Sequence, residues 1–109
     1  MSLWPLVRGR VCAARLTHPD EDKYFLVVSN NRRNRNLPQV LAVRLTTTPK
    51  PSLPSIVPLQ SPEVFTGSVV CDDIVEIYED EVKRDLGALS PSAMNAVARG
   101  LAAALDLPL

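Results

Sequence analysis

The chain is organised as a series of short strand-like runs that ends in one stretch with helical spacing. The clearest run, residues 24–29, consists almost entirely of aromatic and aliphatic side chains, which is typical of a strand buried on both faces. Four further strands are predicted, over residues 7–16, 40–45, 55–59 and 68–78. Closely spaced strands favour antiparallel pairing, so the order predicts a mainly β fold, a small barrel or strongly bent sheet of about five to seven mostly antiparallel strands.

Two segments between the strands are predicted to be loops because of their composition. Residues 30–38 are rich in Asn and Arg, and residues 46–54 hold three threonines and three prolines, which excludes a helix there. Prolines also flank residues 55–59, which predicts an edge strand. In the strand over residues 68–78, simple alternation predicts one face formed by Val69, Cys71, Asp73, Val75 and Ile77, and the other by Val70, Asp72, Ile74 and Glu76.

The end of the chain changes to a helical period. Ser90 suits the N-cap of a helix and Pro91 suits its first position. Apolar residues then recur at helical spacing and predict a stripe that faces the core, formed by Met94, Val97, Ala98, Leu101 and Leu105. Residues 79–85 are predicted to add one short helical turn before this helix. The terminal helix should cover one opening or one face of the β structure.

Composition limits the class of protein. The length of 109 residues fits one domain spanning residues 1–109, and an apolar fraction of 46% suits a chain with a hydrophobic core. The formal net charge is zero, whereas a dedicated binder of double-stranded DNA usually has a basic balance; a local basic patch is still allowed. Cys12 and Cys71 lie in apolar runs without a Cys/His cluster, so we expect two reduced core cysteines and no zinc site.

The sequence contains no membrane signal. No run approaches the roughly 18 apolar residues that a membrane span requires. Residues 1–8 lack the order of a signal peptide, in which basic residues precede an apolar stretch. We therefore expect a cytoplasmic protein that does not contact the membrane.

Few residues offer the usual catalytic chemistry. His18 is the only histidine and lies beside Pro19 in a polar turn, so we expect a solvated loop residue rather than a catalytic base. Neither a P-loop motif nor a GxGxxG motif occurs, so a nucleotide phosphate loop is not supported. Asp72 and Asp73 would point to opposite faces of a strand, and residues 79–81 are interpreted as a solvated acidic turn. We therefore predict no metal and no cofactor.

A basic segment lies within the predicted loop at residues 30–38. Arg32, Arg33 and Arg35 alternate there with asparagines, a pattern that suits contact with phosphate groups. The same composition also suits a soluble, charged connection between two strands. The residues alone leave both interpretations open.

Six segments, in this order along the chain, resemble the MazF/PemK family of toxin endoribonucleases. They are YFLVVSN (24–30), NRNLPQV (34–40), VRLTT (43–47), LPSIVPL (53–59), SVVCDDI (68–74) and LGALSP (86–91). The first is similar to the family segment RPxLVVSN, the fourth to its LPTHVxL strand, and the fifth to SVVLCDQI. The matching region covers about residues 6–107, and the order and spacing of the segments carry the resemblance.

The resemblance implies an SH3-like, CcdB-type barrel with a terminal helix, and the family's activity. Members cleave single-stranded RNA at short sequences without a metal ion. The 2′-hydroxyl attacks the adjacent phosphate, leaving a 2′,3′-cyclic phosphate and a 5′-hydroxyl. The family's catalytic arginine and threonine fall on Lys23 and Thr46 in this chain. The candidate RNA-binding residues are Arg44, Thr47 and Asn30. Alternation along the strand places Arg44 on the same face as Thr46.

Several positions depart from the family pattern. Lys23 keeps the positive charge of the arginine but lacks the planar fork that matches phosphate, and Tyr24 replaces the family's proline. Asp73 and Val75 replace the glutamine and arginine of the family's DQIR stretch. Residues 18–22 form a short acidic segment that would repel RNA phosphates. The predicted cleft is therefore less basic than is usual in the family.

The resemblance also implies partners. The expected assembly is a homodimer that binds single-stranded RNA and a cognate antitoxin with a flexible acidic segment. The alternative is a catalytically weakened or inactive relative that acts as a protein-binding module, either a CcdB-type binder or a protein that sequesters the antitoxin. The tail LDLPL (105–109) has no tryptophan, which disfavours gyrase poisoning as in CcdB-type toxins. A small barrel that serves only as an adaptor is the third interpretation.

Overall fold

The computed structural model describes residues 4–16 and 21–108 of the chain. Its elements are β1 (Arg10–Ala14), β2 (Lys23–Val27), α1 (Asn31–Asn36), β3 (Gln39–Thr46), β4 (Ile56–Leu59), β5 (Gly67–Tyr78), a 3₁₀ turn (Glu79–Glu81), β6 (Val82–Ala88) and α2 (Pro91–Leu105). The six strands form one antiparallel sheet in the order β4-β5-β3-β2-β1-β6. The predicted class, mainly β with a terminal helix, is confirmed. The sheet is open, with β4 and β6 at its two edges.

The two faces of the sheet bury separate apolar clusters, because side chains alternate along each strand. One cluster lies beneath α2 and includes Val11, Leu26, Val43, Leu45, Val69, Cys71 and Val97. The cluster on the other face includes Leu6, Cys12, Phe25, Val27, Val40, Ala42 and Ile77. Burying each side chain of the Val, Leu or Ile type contributes about 1.5–3 kcal/mol, so both faces stabilise the sheet. The central strands are buried on both sides, as the run at residues 24–29 predicted.

A bulge in β5 divides this strand between the two clusters. β3 pairs with β5 in one register up to Val43↔Ile74 and resumes in another at Arg44↔Val70, so residues 71–73 have no partner on β3. An odd number of extra residues reverses the alternation of faces. Val69 and Cys71 therefore enter the cluster beneath α2, whereas Val75 and Ile77 enter the opposite one. The predicted single alternation over residues 68–78 is wrong for this reason.

The predicted loop at residues 30–38 contains the short helix α1. Asn30 is its N-cap and accepts a hydrogen bond from the backbone N–H of Arg33 at 2.9 Å. Asn34 is buried, and its side chain bonds both the hydroxyl of Ser29 at 2.5 Å and the carbonyl of Ser29 at 3.1 Å. These bonds to Ser29, just before the helix, stabilise a helical turn in a segment whose asparagines favour loops on their own.

The predicted helical turn at residues 79–85 is correct only at its start. The 3₁₀ turn ends at Glu81, and β6 follows, paired with β1 alone. Because β6 is an edge strand with charged residues at its centre, it lacks the apolar alternation that makes a strand visible in a sequence.

The terminal helix begins as predicted. The side chain of Ser90 accepts a hydrogen bond from the N–H of Ala93 at 3.1 Å, and Pro91 occupies the first turn of α2. Val97 is fully buried, and Met94 and Leu101 pack against the same cluster. Leu105 is 53% exposed, so its predicted place in the core is wrong. The helix has turned this position away from the sheet, and the buried positions near its end are Gly100 and Ala102.

Both cysteines are free thiols in the core, as the sequence predicted. Burial, assisted by the charge of Asp85, raises the pKa of Cys12 to about 12. Burial, assisted by Asp72, raises the pKa of Cys71 to about 11. Since the thiolate is the reactive species, we expect iodoacetamide at pH 8 to label neither cysteine in the native protein and both in urea. Mass spectrometry would count the labels, and rapid labelling of the native protein would contradict the packing.

An ion pair joins the edge strand β6 to β1. The guanidinium of Arg10 donates to both carboxylate oxygens of Asp85, at 2.6 and 3.2 Å. This hydrogen bonding holds the pKa of Asp85 below its ordinary value. A depressed folded-state pKa contributes stability above the unfolded pKa of about 3.9, and that stability is lost as the pH falls through the folded pKa.

Asp85→Asn is therefore expected to lower the free energy of unfolding by about 0.5–1 kcal/mol at pH 7. The difference from the unmodified protein should shrink at pH 3 and vanish at lower pH, as urea unfolding would show. Asp80→Asn, on the exposed 3₁₀ turn, is the matched control and should change stability little at either pH. A loss at pH 7 that stays constant on acidification would contradict the role of the ion pair.

Candidate active site

Two adjoining cavities open where β2 begins and β3 ends, beside the bulge in β5. The larger, of about 250 Å³, is lined by Leu16, Glu21, Lys23, Phe25, Arg44, Asp73 and Val75. The smaller, of about 220 Å³, is lined by Glu21, Asp22, Lys23, Tyr24, Arg44, Leu45, Thr46, Thr47, Thr48 and Phe65. Phe25 and Val75 belong to the cluster opposite α2, so the larger cavity lies on the sheet face that the terminal helix leaves uncovered.

The pairing of β2 with β3 brings the predicted residues together. Tyr24 pairs with Leu45 and Phe25 with Arg44, so the same register carries Lys23 to a position across from Thr46. Lys23 and Arg44 are then diagonal neighbours on one face of the sheet. Long side chains reach one another at this separation, about 7–8 Å between the backbones. Of the five residues predicted for catalysis or RNA binding, four line the smaller cavity: Lys23, Arg44, Thr46 and Thr47.

Lys23 is held by an acidic neighbour. Its ammonium group donates a hydrogen bond to Glu21 at 2.5 Å and forms an ion pair with it. The lysine side chain is about one-third exposed and Glu21 is more exposed still. The acidic segment at residues 18–22 predicts only repulsion of RNA phosphates, whereas the structure places Glu21 in direct contact with the lysine.

Arg44 differs from Lys23 in its surroundings. Its Nε is buried and has no hydrogen-bond partner, and no described carboxylate lies within 4.0 Å of its guanidinium. The bulge in β5 begins beside it, at the change of register between Val43 and Arg44. The bulge turns Asp73 toward the same cavity, while Asp72 turns away and accepts a hydrogen bond from Ser55 at 2.6 Å.

Thr46 ends β3 at the junction with the proline-rich loop. Its hydroxyl oxygen accepts a hydrogen bond from the backbone N–H of Thr48 at 3.1 Å, which forms a tight turn there. Thr46 also pairs with Ser68 in β5, and Gly67 packs against its carbonyl group. Thr47 is exposed at the mouth of the smaller cavity. The hydroxyl of Thr46 is therefore held at the cavity wall by main-chain contacts.

An aromatic pair borders the smaller cavity. The rings of Tyr24 and Phe65 are 5.5 Å apart at their centres and are tilted by 47°. Phe65 lies in the connection between β4 and β5, and no sequence motif predicted it as part of the site. Tyr24 stands where the resembling family has a proline, so the replacement adds an exposed aromatic surface beside Lys23.

The remaining predicted residues lie elsewhere. Asn30 caps α1 and lines neither cavity. Arg33 donates from its guanidinium to the carbonyl of Gln39 at 3.1 Å, while Arg32 and Arg35 are exposed on α1. The basic segment is thus a solvated helix surface on which one arginine has a structural bond. His18 lies outside the described residues.

Neither a metal cluster nor a membrane helix is found in the ranges that the structure describes. Over residues 4–16 and 21–108, no group of three or more His, Cys, Asp or Glu side chains is arranged to hold a metal ion. No helix within these ranges is long and apolar enough to cross a membrane. The residues that the cavities combine, two cations and a threonine hydroxyl with carboxylates nearby, can bind a phosphate group and transfer protons.

Comparison with known proteins identifies the class. The profile of the PemK-like, MazF-like toxin of type II toxin–antitoxin systems matches residues 8–105. Endoribonuclease MazF1 of Mycobacterium bovis and endoribonuclease MazF4 of Mycobacterium tuberculosis are each 43% identical over 86 residues, which cover 79% of this chain and 81% of the relative. The chain belongs to the PemK-like, MazF-like family of toxins, as its six segments predicted.

Solved structures agree with this assignment. An endoribonuclease in complex with its cognate antitoxin, from a mycobacterial species, matches with a TM-score of 0.87 and 40% identity, covering 94% of this chain and 97% of the other. A second mycobacterial endoribonuclease matches at a TM-score of 0.85 and 40% identity, covering 94% and 93%. MazF in the MazE-MazF structure from Deinococcus radiodurans, at 18% identity and a TM-score of 0.78, shows the same fold. The predicted class, an endoribonuclease toxin, is confirmed at the level of the family.

Proposed function

We propose that this protein cleaves single-stranded RNA at specific sequences without a metal ion, as the toxin of a type II toxin–antitoxin pair. The observation that carries the proposal is the smaller cavity, where the sheet brings together Lys23, Arg44, Thr46 and Thr47. These residues come from two strands and one loop, and the register of β2 against β3 places them side by side. Their charges and hydroxyl groups suit a phosphodiester.

The proposed reaction is an internal transesterification. The 2′-oxygen forms a bond to phosphorus while the bond between phosphorus and O5′ breaks. The 2′-hydroxyl loses its proton to solvent, and O5′ gains one, so the products are a 2′,3′-cyclic phosphate and a 5′-hydroxyl. The transition state concentrates negative charge on the phosphoryl oxygens and on O5′, which are the atoms that the protein must stabilise.

Lys23 and Thr46 are the proposed catalytic residues. The ammonium group of Lys23 supplies positive charge and a proton at the reacting phosphate, and the hydroxyl of Thr46 donates a hydrogen bond to a phosphoryl oxygen. Arg44 and Thr47 are proposed to hold the RNA backbone. Asn30 is a proposed RNA contact through its amide Nδ2 alone, because its Oδ1 already accepts from Arg33.

The proposed partners follow from the relatives. One similar structure contains an endoribonuclease with its cognate antitoxin, and on this basis we expect an antitoxin to bind this chain as well. The protein is proposed to act in the cytoplasm as a homodimer, without membrane contact. A formal net charge of zero means that attraction to RNA and to an acidic antitoxin must be local, at the cavities and at the exposed arginines of α1.

The first test is incubation of the purified protein with a long, unstructured RNA in EDTA. Discrete fragments with 5′-hydroxyl ends, mapped to a shared short sequence, are the expected result. A folded dimer that leaves several unrelated RNAs intact would overturn the enzyme proposal and favour a binding-only relative that acts on its antitoxin. Light scattering after gel filtration would establish the dimer, and a monomer at micromolar concentration would contradict that part of the proposal.

A further inference from the structure

We propose that Arg44 binds the nonbridging oxygens of the scissile phosphate, and that Lys23 therefore serves as the proton donor to O5′. This inference rests on the proposed ribonuclease function and divides its chemistry between two cations. Lys23 then no longer supplies both the charge and the proton, and Arg44 is more than a general contact to the RNA backbone. The different surroundings of the two side chains assign them different tasks.

Lys23 and Arg44 differ in their charged neighbours. Lys23 is paired with Glu21 at 2.5 Å, so an incoming phosphate must compete with this carboxylate for the ammonium group. Arg44 lines both cavities and has no ion pair within the described residues. An anion that enters the cavity therefore meets Arg44 as the cation without a competing carboxylate in contact. Two further acidic groups face the cavities: Asp73 in the larger one, and Asp22 in the smaller one, where it is paired with Arg15 at 2.8 Å.

Arg44 also has an unfulfilled hydrogen bond. The Nε of Arg44 is buried without a partner, and a buried donor left in this way is unfavourable because it has lost its hydrogen bonds to water. Nε and one terminal nitrogen of a guanidinium form a planar fork, and two oxygens of a phosphate match this fork. Because this Nε is buried in the free protein, the side chain must turn toward the cavity to reach a phosphate; a phosphate bound in this way would satisfy the unpaired donor.

The sheet also places Arg44 close to both proposed catalytic residues. Arg44 and Thr46 are two residues apart on β3, so their side chains point to the same face of the sheet. The register of β2 against β3 places Lys23 opposite Thr46 on this face. The bulge in β5 leaves residues 71–73 unpaired beside Arg44, which opens the sheet face at this point. A phosphate held by Arg44 would thus lie beside both the hydroxyl of Thr46 and the ammonium group of Lys23.

The first test uses three variants of the full chain on an oligonucleotide that carries the mapped cleavage sequence. Arg44→Ala is expected to lower kcat about 10²- to 10³-fold, the usual cost of removing a transition-state donor, with a smaller change in KM. Arg44→Lys is expected to lose at least about tenfold in kcat, because it keeps the charge but lacks the fork. Arg99→Ala, an exposed arginine on α2 at the opposite face, is the matched control and should retain full activity.

A sulfur substitution separates binding of phosphate oxygens from proton donation. Replacing one nonbridging oxygen of the scissile phosphate by sulfur should slow the unmodified enzyme for one stereoisomer in particular. This stereoselective effect is expected to disappear in Arg44→Ala. It should persist in the residual activity of Lys23→Ala, which lacks the proton donor but keeps Arg44. A solely structural role of Arg44 would leave the stereoselectivity unchanged.

The outcomes distinguish the two proposals. If the unmodified protein cleaves no RNA, the proposed function fails and this inference fails with it. If the unmodified protein cleaves RNA but Arg44→Lys retains full activity, or the sulfur effect survives in Arg44→Ala, only the assignment of Arg44 is overturned. Thermal unfolding checks folding: because Arg44→Met removes a buried unpaired donor, it should be at least as stable as the unmodified protein. A strongly destabilised Arg44→Met would show that the arginine is structural.

Discussion

Replacement of Gly67 by alanine is expected to lower the free energy of unfolding by roughly 2–5 kcal/mol, through backbone strain and overpacking. Gly67 has a φ of +139°, which side-chain-bearing residues rarely adopt. An added Cβ would lie 2.4 Å from the carbonyl oxygen of Thr46 and 3.1 Å from the ring of Phe65. The first neighbour is backbone and cannot move without shifting the end of β3. Urea unfolding would measure the loss of stability.

The same substitution should also lower ribonuclease activity per folded molecule, because the strand end that moves carries Thr46. Gly9→Ala is the matched control. Gly9 also has a positive φ, +95°, but its added Cβ would meet only the side chain of Met94, at 3.8 Å. We expect this control to lose about 1–2 kcal/mol from strain alone and to keep its activity. Equal effects of the two substitutions would contradict the specific contact between Gly67 and Thr46.

Removal of either proposed catalytic side chain is expected to abolish most RNA cleavage without unfolding the protein. Lys23→Ala should lower kcat about 10²- to 10⁴-fold, the range for loss of a general acid. Thr46→Ala should lower kcat about 10²- to 10³-fold, since it removes one donor to the developing phosphoryl charge. Initial rates on one oligonucleotide, with circular dichroism to verify folding, provide the measurement.

Neighbouring residues supply controls for both substitutions. Lys50→Ala removes an exposed lysine of the proline-rich loop, which lines neither cavity, and should leave kcat unchanged. Thr48→Ala removes an exposed hydroxyl while keeping the backbone N–H that bonds Thr46, so it should have a small effect. Activity of Lys23→Ala comparable to that of the unmodified protein would show that the site has been misplaced.

The sequence predicted the strands that carry a strong local signal. The run at residues 24–29 is apolar on both faces and became the buried strand β2, and Ser90 with Pro91 correctly marked the start of α2. β6 could not be predicted, because an edge strand needs only one partner and tolerates charged residues. α1 depends on the buried contact between Asn34 and Ser29, which no local pattern reveals.

The site was predicted from family resemblance and from the alternation of side chains along a strand, whereas its electrostatics were not predicted. Lys23 and Thr46 were proposed from their positions, and the pairing of β2 with β3 places them at one cavity. The ion pair between Glu21 and Lys23 and the unpaired Nε of Arg44 depend on side-chain conformations across the sheet. Asp73 reaches the cavity because the bulge in β5 adds an odd number of residues, 71–73, and so reverses the faces of the strand. The sequence pattern of this strand gives no sign of the bulge.

In the proposed reaction the 2′-hydroxyl of RNA is the nucleophile, and the protein needs no metal ion. A DNA oligonucleotide with the mapped cleavage sequence and a single ribonucleotide 5′ of the scissile bond tests it directly, in EDTA, beside the same oligonucleotide made entirely of DNA. We expect cleavage of the first oligonucleotide alone, with a 2′,3′-cyclic phosphate and a 5′-hydroxyl at the ends. Cleavage of the all-DNA strand, products with 5′-phosphate ends, or activity that appears only after a divalent cation is added would contradict it.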